Sequence, residues 1–217
     1  LSLTGNLWFD RGCCRVASMR TARALFLALL LVLTPLSLLS TPAHASDTTL
    51  FVDTTWSGNI VLTGNVTVEN GTTLTVSPGT TVDGGDGYWI RVDGTLLATS
   101  STFFSSQAPL TSGSHGAGLW TGLYIANKGH AVLETVSIEN AKTAVKVDGH
   151  LTANKLTIID AYIGINNQAS SDLVALTAEH VDYDVVRNSG SLNLSGGTFS
   201  DIAGGVWSTG TTAIDTV

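Results

Sequence analysis

The sequence predicts an all-β chain wound as a solenoid of about seven turns, with three short parallel strands to each turn. Three observations carry that expectation. After Ser46 almost no stretch shows the three-and-four apolar spacing of a helix. The same region breaks into short β-rich pieces at 60–62 (IVL), 66–68 (VTV), 74–76 (LTV) and 89–92 (WIRV), separated by Gly, Asn, Asp and Ser. Further pieces then return at a nearly constant interval. Segments beginning at Ile90, Leu123, Val145, Ile165, Val186 and Val206 are spaced by 33, 22, 20, 21 and 20 residues.

From the beginning of the chain, Met19 is the sole methionine, so residues 1–18 read as an upstream extension. Arg20 and Arg23 precede an unbroken apolar run at 24–33 (ALFLALLLVL), and Ala43-His44-Ala45 closes the segment with small residues. That order predicts a signal peptide over 19–45, cleaved after Ala45, and so a secreted or cell-surface protein. The competing reading is a retained anchor, for which the run is short. Both cysteines, Cys13 and Cys14, precede Met19, so the exported part holds no disulfide or thiolate site. Residues 46–65 are expected to form the N-terminal cap and first strands, and 66–217 the coil.

Within the coil, Gly94, Gly129, Gly149, Gly190 and Gly210 follow the aligned segments and lead into a second strand series at 95–97, 131–133, 151–153, 191–193 and from 211. A third series reads as 136–138, 156–158 and 180–181. The 33-residue step contains an insertion at 105–118, which should project as a loop. Val217 falls inside a turn, so the coil is expected to be truncated there; end-to-end self-association is the alternative way to cover an open end.

Composition narrows the function. The chain of 217 residues is 43% hydrophobic and 12% charged, with a formal net charge of -7. Beyond Ala45 six basic residues face sixteen acidic ones. That balance excludes a basic nucleic-acid binder, and the apolar content excludes a disordered chain. No membrane span is expected after the leader.

Three stretches carry a resemblance: 55–82 (TWSGNIVLTGNVTVENGTTLTVSPGTTV), 90–98 (IRVDGTLLA), and 119–125 (LWTGLYI) with 134–145 (ETVSIENAKTAV). They resemble the secreted parallel β-helix proteins that share the pectate-lyase architecture, especially large surface and adhesin-like members. The resemblance implies a single-stranded right-handed parallel β-helix, the hand that parallel crossovers favour. It also implies a cap near Thr48 to Trp56. Enzymes and non-enzymes share the pattern, so it implies no activity.

The candidate sites are rows of stacked side chains. The outward position of the first strand series holds Arg91, Tyr124, Lys146, Asn166, Arg187 and Trp207. Cations, an amide and aromatics at strand spacing could track a polysaccharide, since sugars stack on Tyr or Trp and acidic sugars pair with Arg or Lys. The plainer reading is a solvated face balanced by Asp93 and Asp148. The turn after the third series holds Asn140, Asp160, Asp182 and Asp201, where stacked carboxylates would favour a bound Ca²⁺. Such corner residues more often bond the local backbone, and no calcium-loop motif is present. The oxygen-rich 83–87 (DGGDG) invites the same two readings. His130 and His150, one turn apart with Asp172 near the row, could hold a metal or respond to pH. Beyond Ca²⁺ no cofactor is expected.

Lyases of this fold need an Arg or Lys base and calcium carboxylates, and its hydrolases need clustered Asp. The basic side chains past Ala45 are Arg91, Lys128, Lys142, Lys146, Lys155 and Arg187, and none lies in such a signature. The expectation is therefore a surface-associated, non-catalytic module for structural display, adhesion or glycan binding. A polysaccharide lyase or glycoside hydrolase whose active turns are partly missing is the alternative.

Overall fold

Alternation sets the strands. In Val66–Val68 and Thr73–Val76 every second side chain is buried, with Val and Leu inward and Thr outward. The computed structural model describes residues 46–106 and 120–215. The expected upstream extension and signal peptide, and residues 107–118 of the insertion expected at 105–118, lie outside the described residues.

The described chain is a parallel β-solenoid of about seven turns without helix. Every pairing is parallel and joins one turn to the next. The first sheet runs through Thr48–Leu50, Val66–Val68, Trp89–Val92 and Gly122–Ile125, then residues 145–147, 165–167, 186–188 and 206–208. Leu123 stands opposite both Ile90 and Val145, and Val145, Ile165, Val186 and Val206 follow in register, as the sequence spacing predicts. The second sheet holds Thr54–Trp56, Thr73–Val76, Thr95–Thr99, His130–Glu134, His150–Asn154, 170–174, 191–195 and Thr211–Asp215. The third holds Asn59–Val61, Thr81–Asp83, Thr102–Phe104, 137–139, 157–159, 177–179 and 198–200.

Two details of that register differ from the sequence expectation. The second sheet has a strand at 170–174 that no glycine announces, because Ala169 occupies the row of Gly149. The third series continues at 177–179, with Thr177 opposite Thr157, so His180-Val181 is not its strand. The extra residue of this turn sits later, in a register shift between Val181 and Asp184. The third-sheet stretch therefore ends at Glu179 within the continuous strand Ser170–Asn188, and His180 takes the corner.

Corners repeat as closely as strands do. Asn140, Asp160, His180 and Asp201 adopt the left-handed conformation, with φ of 56°, 54°, 53° and 49°. Between the second and third sheets Ser100, Thr135, Lys155 and Ala175 do the same. Each such residue costs about 1 kcal/mol. Backbone bonds between turns offset that cost. Ser100, Thr135 and Lys155 each donate their own N–H to a carbonyl of the next turn, and at the corner between the first and second sheets Asp93, Ala126, Asp148, Gln168, Ser189 and Thr209 each donate to a carbonyl one turn earlier.

The core is stacked rows of Val, Leu, Ile and Ala. Fully buried Trp120 donates its indole N–H to the Glu139 carbonyl at 2.9 Å and lies over Gly84, where a Cβ would come within 2.6 Å of the ring. In the later turns the row facing the first corner turns polar. Asn167 and Asn188 are fully buried, and the Asn167 amide donates to Asn188 Oδ1 at 2.7 Å and to the Ser191 carbonyl at 2.8 Å. Among the described residues no helix is long and apolar enough to cross a membrane.

Candidate functional site

The outward row of the first sheet stands as the spacing predicts: Arg91, Tyr124, Lys146, Asn166, Arg187 and Trp207 are in register on successive turns. Tyr124 is the hub of its early part. Arg91 packs with its guanidinium carbon 5.2 Å from the ring centroid, and Lys146 Nζ lies 4.5 Å away on the next turn. Asp93 pairs with Arg91 at 2.6 and 2.8 Å, and Asp148 lies 3.3 Å from Lys146 Nζ. The Tyr124 hydroxyl donates to Asp148 Oδ2 at 2.7 Å. That bond, with burial and the Asp148 charge, raises the phenol above its ordinary pKa, so Tyr124 stays protonated.

Beside this hub is a cleft of about 320 Å³ lined by Trp89, Arg91, Gly122, Tyr124, Lys142 and Lys146, with Leu123, Thr121 and Thr143. Three cations and two aromatic rings converge there, and no carboxylate lines it. Gly122 must be a glycine. With φ at 105° and the Thr143 carbonyl 1.8 Å from where a Cβ would stand, no side chain fits. Sequence reading missed Trp89 and Lys142. Trp89 begins a strand opposite Gly122, and Lys142 lies just past the left-handed corner, so neither falls in the row that strand spacing picks out.

The later part of the row is arranged differently. Arg187 lies between two rings, 5.0 Å from Tyr183 and 5.4 Å from Trp207, and its Nε is 3.4 Å from Asp184 Oδ2. Tyr183 stacks on Tyr162 with centroids 5.7 Å apart. Neither tyrosine was expected from the sequence. Tyr183 lies inside the register shift, which places it beside Arg187.

At the third corner the structure replaces one expected residue. The row is Asn140, Asp160, His180 and Asp201, and Asp182 lies outside it because Val181 faces Ile202. His180 bridges the two carboxylates: Nδ1 is 3.3 Å from Asp160 Oδ1, and Nε2 is 3.2 Å from Asp201 Oδ2. A protonated ring donates to both, and a neutral ring to only one. Asn140 donates to the Ser105 carbonyl at 3.2 Å. The carboxylate of Asp83, in the glycine-rich turn, accepts from the Gly85 and Ser106 amides and from the Ser106 hydroxyl. Burial pushes that carboxyl up, but the hydrogen bonds outweigh it and hold it below the ordinary value. Both corners thus spend carboxylate oxygens on neighbouring protein groups. Among the described residues no group of three or more His, Cys, Asp and Glu has an arrangement suited to a metal ion.

On the second sheet His130 and His150 pair in register, with ring centroids 5.1 Å apart. Asp172 Oδ2 is 3.7 Å from His150 Nε2. Burial, then the neighbouring His150, lowers the pKa of His130.

No protein-family model, curated protein or solved structure matches the chain.

Proposed function

We propose that the chain is an exported, surface-associated β-solenoid that binds an acidic glycan on its first sheet and performs no catalysis. The coil is taken as right-handed, the hand favoured for parallel crossovers. One observation carries the reading: a chain with sixteen acidic residues past Ala45 gathers Arg91, Lys142 and Lys146 around the rings of Trp89 and Tyr124 in a cleft that no carboxylate lines. Rings offer stacking faces to a pyranose, and the cations offer charge-assisted bonds to its carboxylate or sulfate groups. Asp93 and Asp148 hold the cations in place and can accept from sugar hydroxyls.

The test is retention of residues 46–217 on an array of neutral, uronate-containing and sulfated glycans. Wild type should be held by acidic glycans, and a Tyr124→Ala/Lys146→Ala variant should lose at least about tenfold in affinity. Equal retention of both proteins, or binding to no acidic glycan, overturns the reading. Release of unsaturated uronates or new reducing ends from a retained glycan would revive the enzyme alternative.

A further inference from the structure

Exposed aromatic side chains are spread unevenly over the coil. Trp89, Tyr162, Tyr183 and Trp207 are 40%, 41%, 44% and 48% exposed. All four lie on the first sheet or on the corner leading into it; a fifth exposed ring, Phe51, follows the strand Thr48–Leu50 in the opening turn and stands apart from them. Large rings left nearly half uncovered on a soluble surface mark contact sites more often than scattered single apolar residues do.

They form a continuous line with the cations. Lys142 lines the cleft beside Trp89 and Tyr124. Its neighbours Ala141 and Thr143 stand opposite Ala161 and Ile163, which puts Lys142 one turn before Tyr162 in the same row. Tyr162 stacks on Tyr183, Tyr183 lies under Arg187, and Arg187 packs against Trp207. The line therefore leaves the strand row at the cleft, follows the corner past Asn166, and rejoins the row at Arg187. From Trp89 to Trp207 it crosses five inter-turn steps, roughly 24 Å. Four of the six basic residues past Ala45 stand on it: Arg91, Lys142, Lys146 and Arg187.

We propose that this line is a single track for a linear anionic polysaccharide lying along the coil axis, with Tyr162 and Tyr183 as its central stacking platform. The proposal rests on the glycan reading above and specifies its ligand as a polymer. A ring on successive turns presents one stacking face after another, and a short sugar can use only one or two. Charge separates the polysaccharide from single-stranded nucleic acid, which also stacks on aromatic rows. Three of the cations are already paired with Asp93, Asp148 and Asp184. A phosphate at every unit would meet those carboxylates. A glycan with intermittent charges and many hydroxyls can donate to them.

The experiment is calorimetry with oligomers that alternate uronate and uncharged sugars, a disaccharide and an octasaccharide, on wild type, Tyr162→Ala/Tyr183→Ala, and Leu97→Ala, a change at an exposed residue of the second sheet. Circular dichroism confirms that each variant is folded. Wild type should bind the octasaccharide at least about tenfold more tightly than the disaccharide. The tyrosine variant should lose that gain while keeping the disaccharide affinity, and Leu97→Ala should keep both. Equal affinity for the two lengths, or a gain that survives loss of both tyrosines, overturns the track and leaves a cleft-only glycan site standing. Failure of every acidic glycan to bind overturns the glycan reading and the track together. Tighter binding of a single-stranded oligonucleotide to the same residues overturns the ligand class.

Discussion

At the corner between the first and second sheets, successive early turns place Val68, Val92, Ile125 and Val147 in one fully buried row. The following turns place Asn167, Asn188 and Ser208 in that same row. Early turns fill the position with β-branched side chains that need only neighbours of the right shape. Later turns fill it with amides that need partners at fixed distances. Asn188 accepts from the Asn167 amide and the Gly190 N–H, and donates toward Ser208 Oγ, the Thr211 carbonyl and Thr212 Oγ1. Ser171, also buried, donates to Asn167 Oδ1 at 3.0 Å. Valine rungs act nearly independently, because each loses only its own contacts when altered. Amide rungs are coupled, because each satisfies the next.

Substitutions should break this contrast in a definite order. The largest effect is expected for Asn188→Ala, which strips its partner from one Asn167 amide hydrogen, from the Gly190 N–H and from the Thr211 carbonyl. Urea unfolding should show a loss of about 3 kcal/mol. Next comes Val92→Asn, which buries an amide between Val68 and Ile125 and should cost about 2 kcal/mol. Val147→Asn is the sharper comparison. It faces Asn167, whose Oδ1 accepts from Ser171 and has a second lone pair, so it can add a rung and should cost under about 1 kcal/mol. Equal costs at the two positions would mean that the row does not propagate. A smaller effect is coupling: Asn167→Val and Asn188→Val together should cost about 1 kcal/mol less than the sum of the single changes.

The smallest effect is a pH response of the early turns. His130 has a lowered pKa in the folded state, so the unfolded chain binds its proton more readily. Its stabilising contribution is complete above about pH 6.5 and is lost as pH falls below that value. Thermal unfolding of His130→Gln should show a flatter decline on the acid side than wild type. An unchanged slope would place the acid sensitivity elsewhere.

Much of the fold was legible because strand spacing is a property of the chain alone. The register Ile90, Leu123, Val145, Ile165, Val186 and Val206 follows from counting residues. What counting missed has a local cause each time. Ala169 hid a strand whose sister turns are marked by glycine. A third strand placed at His180-Val181 puts Asp182 at the corner, whereas Thr177 pairs with Thr157 and the extra residue of that turn falls after Val181, so the corner residue is His180. Trp89, Lys142, Tyr162 and Tyr183 stayed hidden for a related reason. Their neighbours come from a corner, a register shift and the absent side chain of Gly122, none of which obeys a two-residue alternation. The buried amide row was visible as Asn167 and Asn188 at equivalent positions, but its inward direction depends on the pleat of the strand.

The hydrogen bonds between turns all point along the coil. Pulled apart by its two ends, such a chain has its rungs loaded in tension, one turn at a time, with no sheet sheared as a whole. Each turn that yields, such as the twenty residues from Val145 to Ile165, releases roughly 70 Å of slack. A tether of this build gives way in instalments under sudden load, and the amide rungs of Asn167 and Asn188 should register as its stiffest stretch.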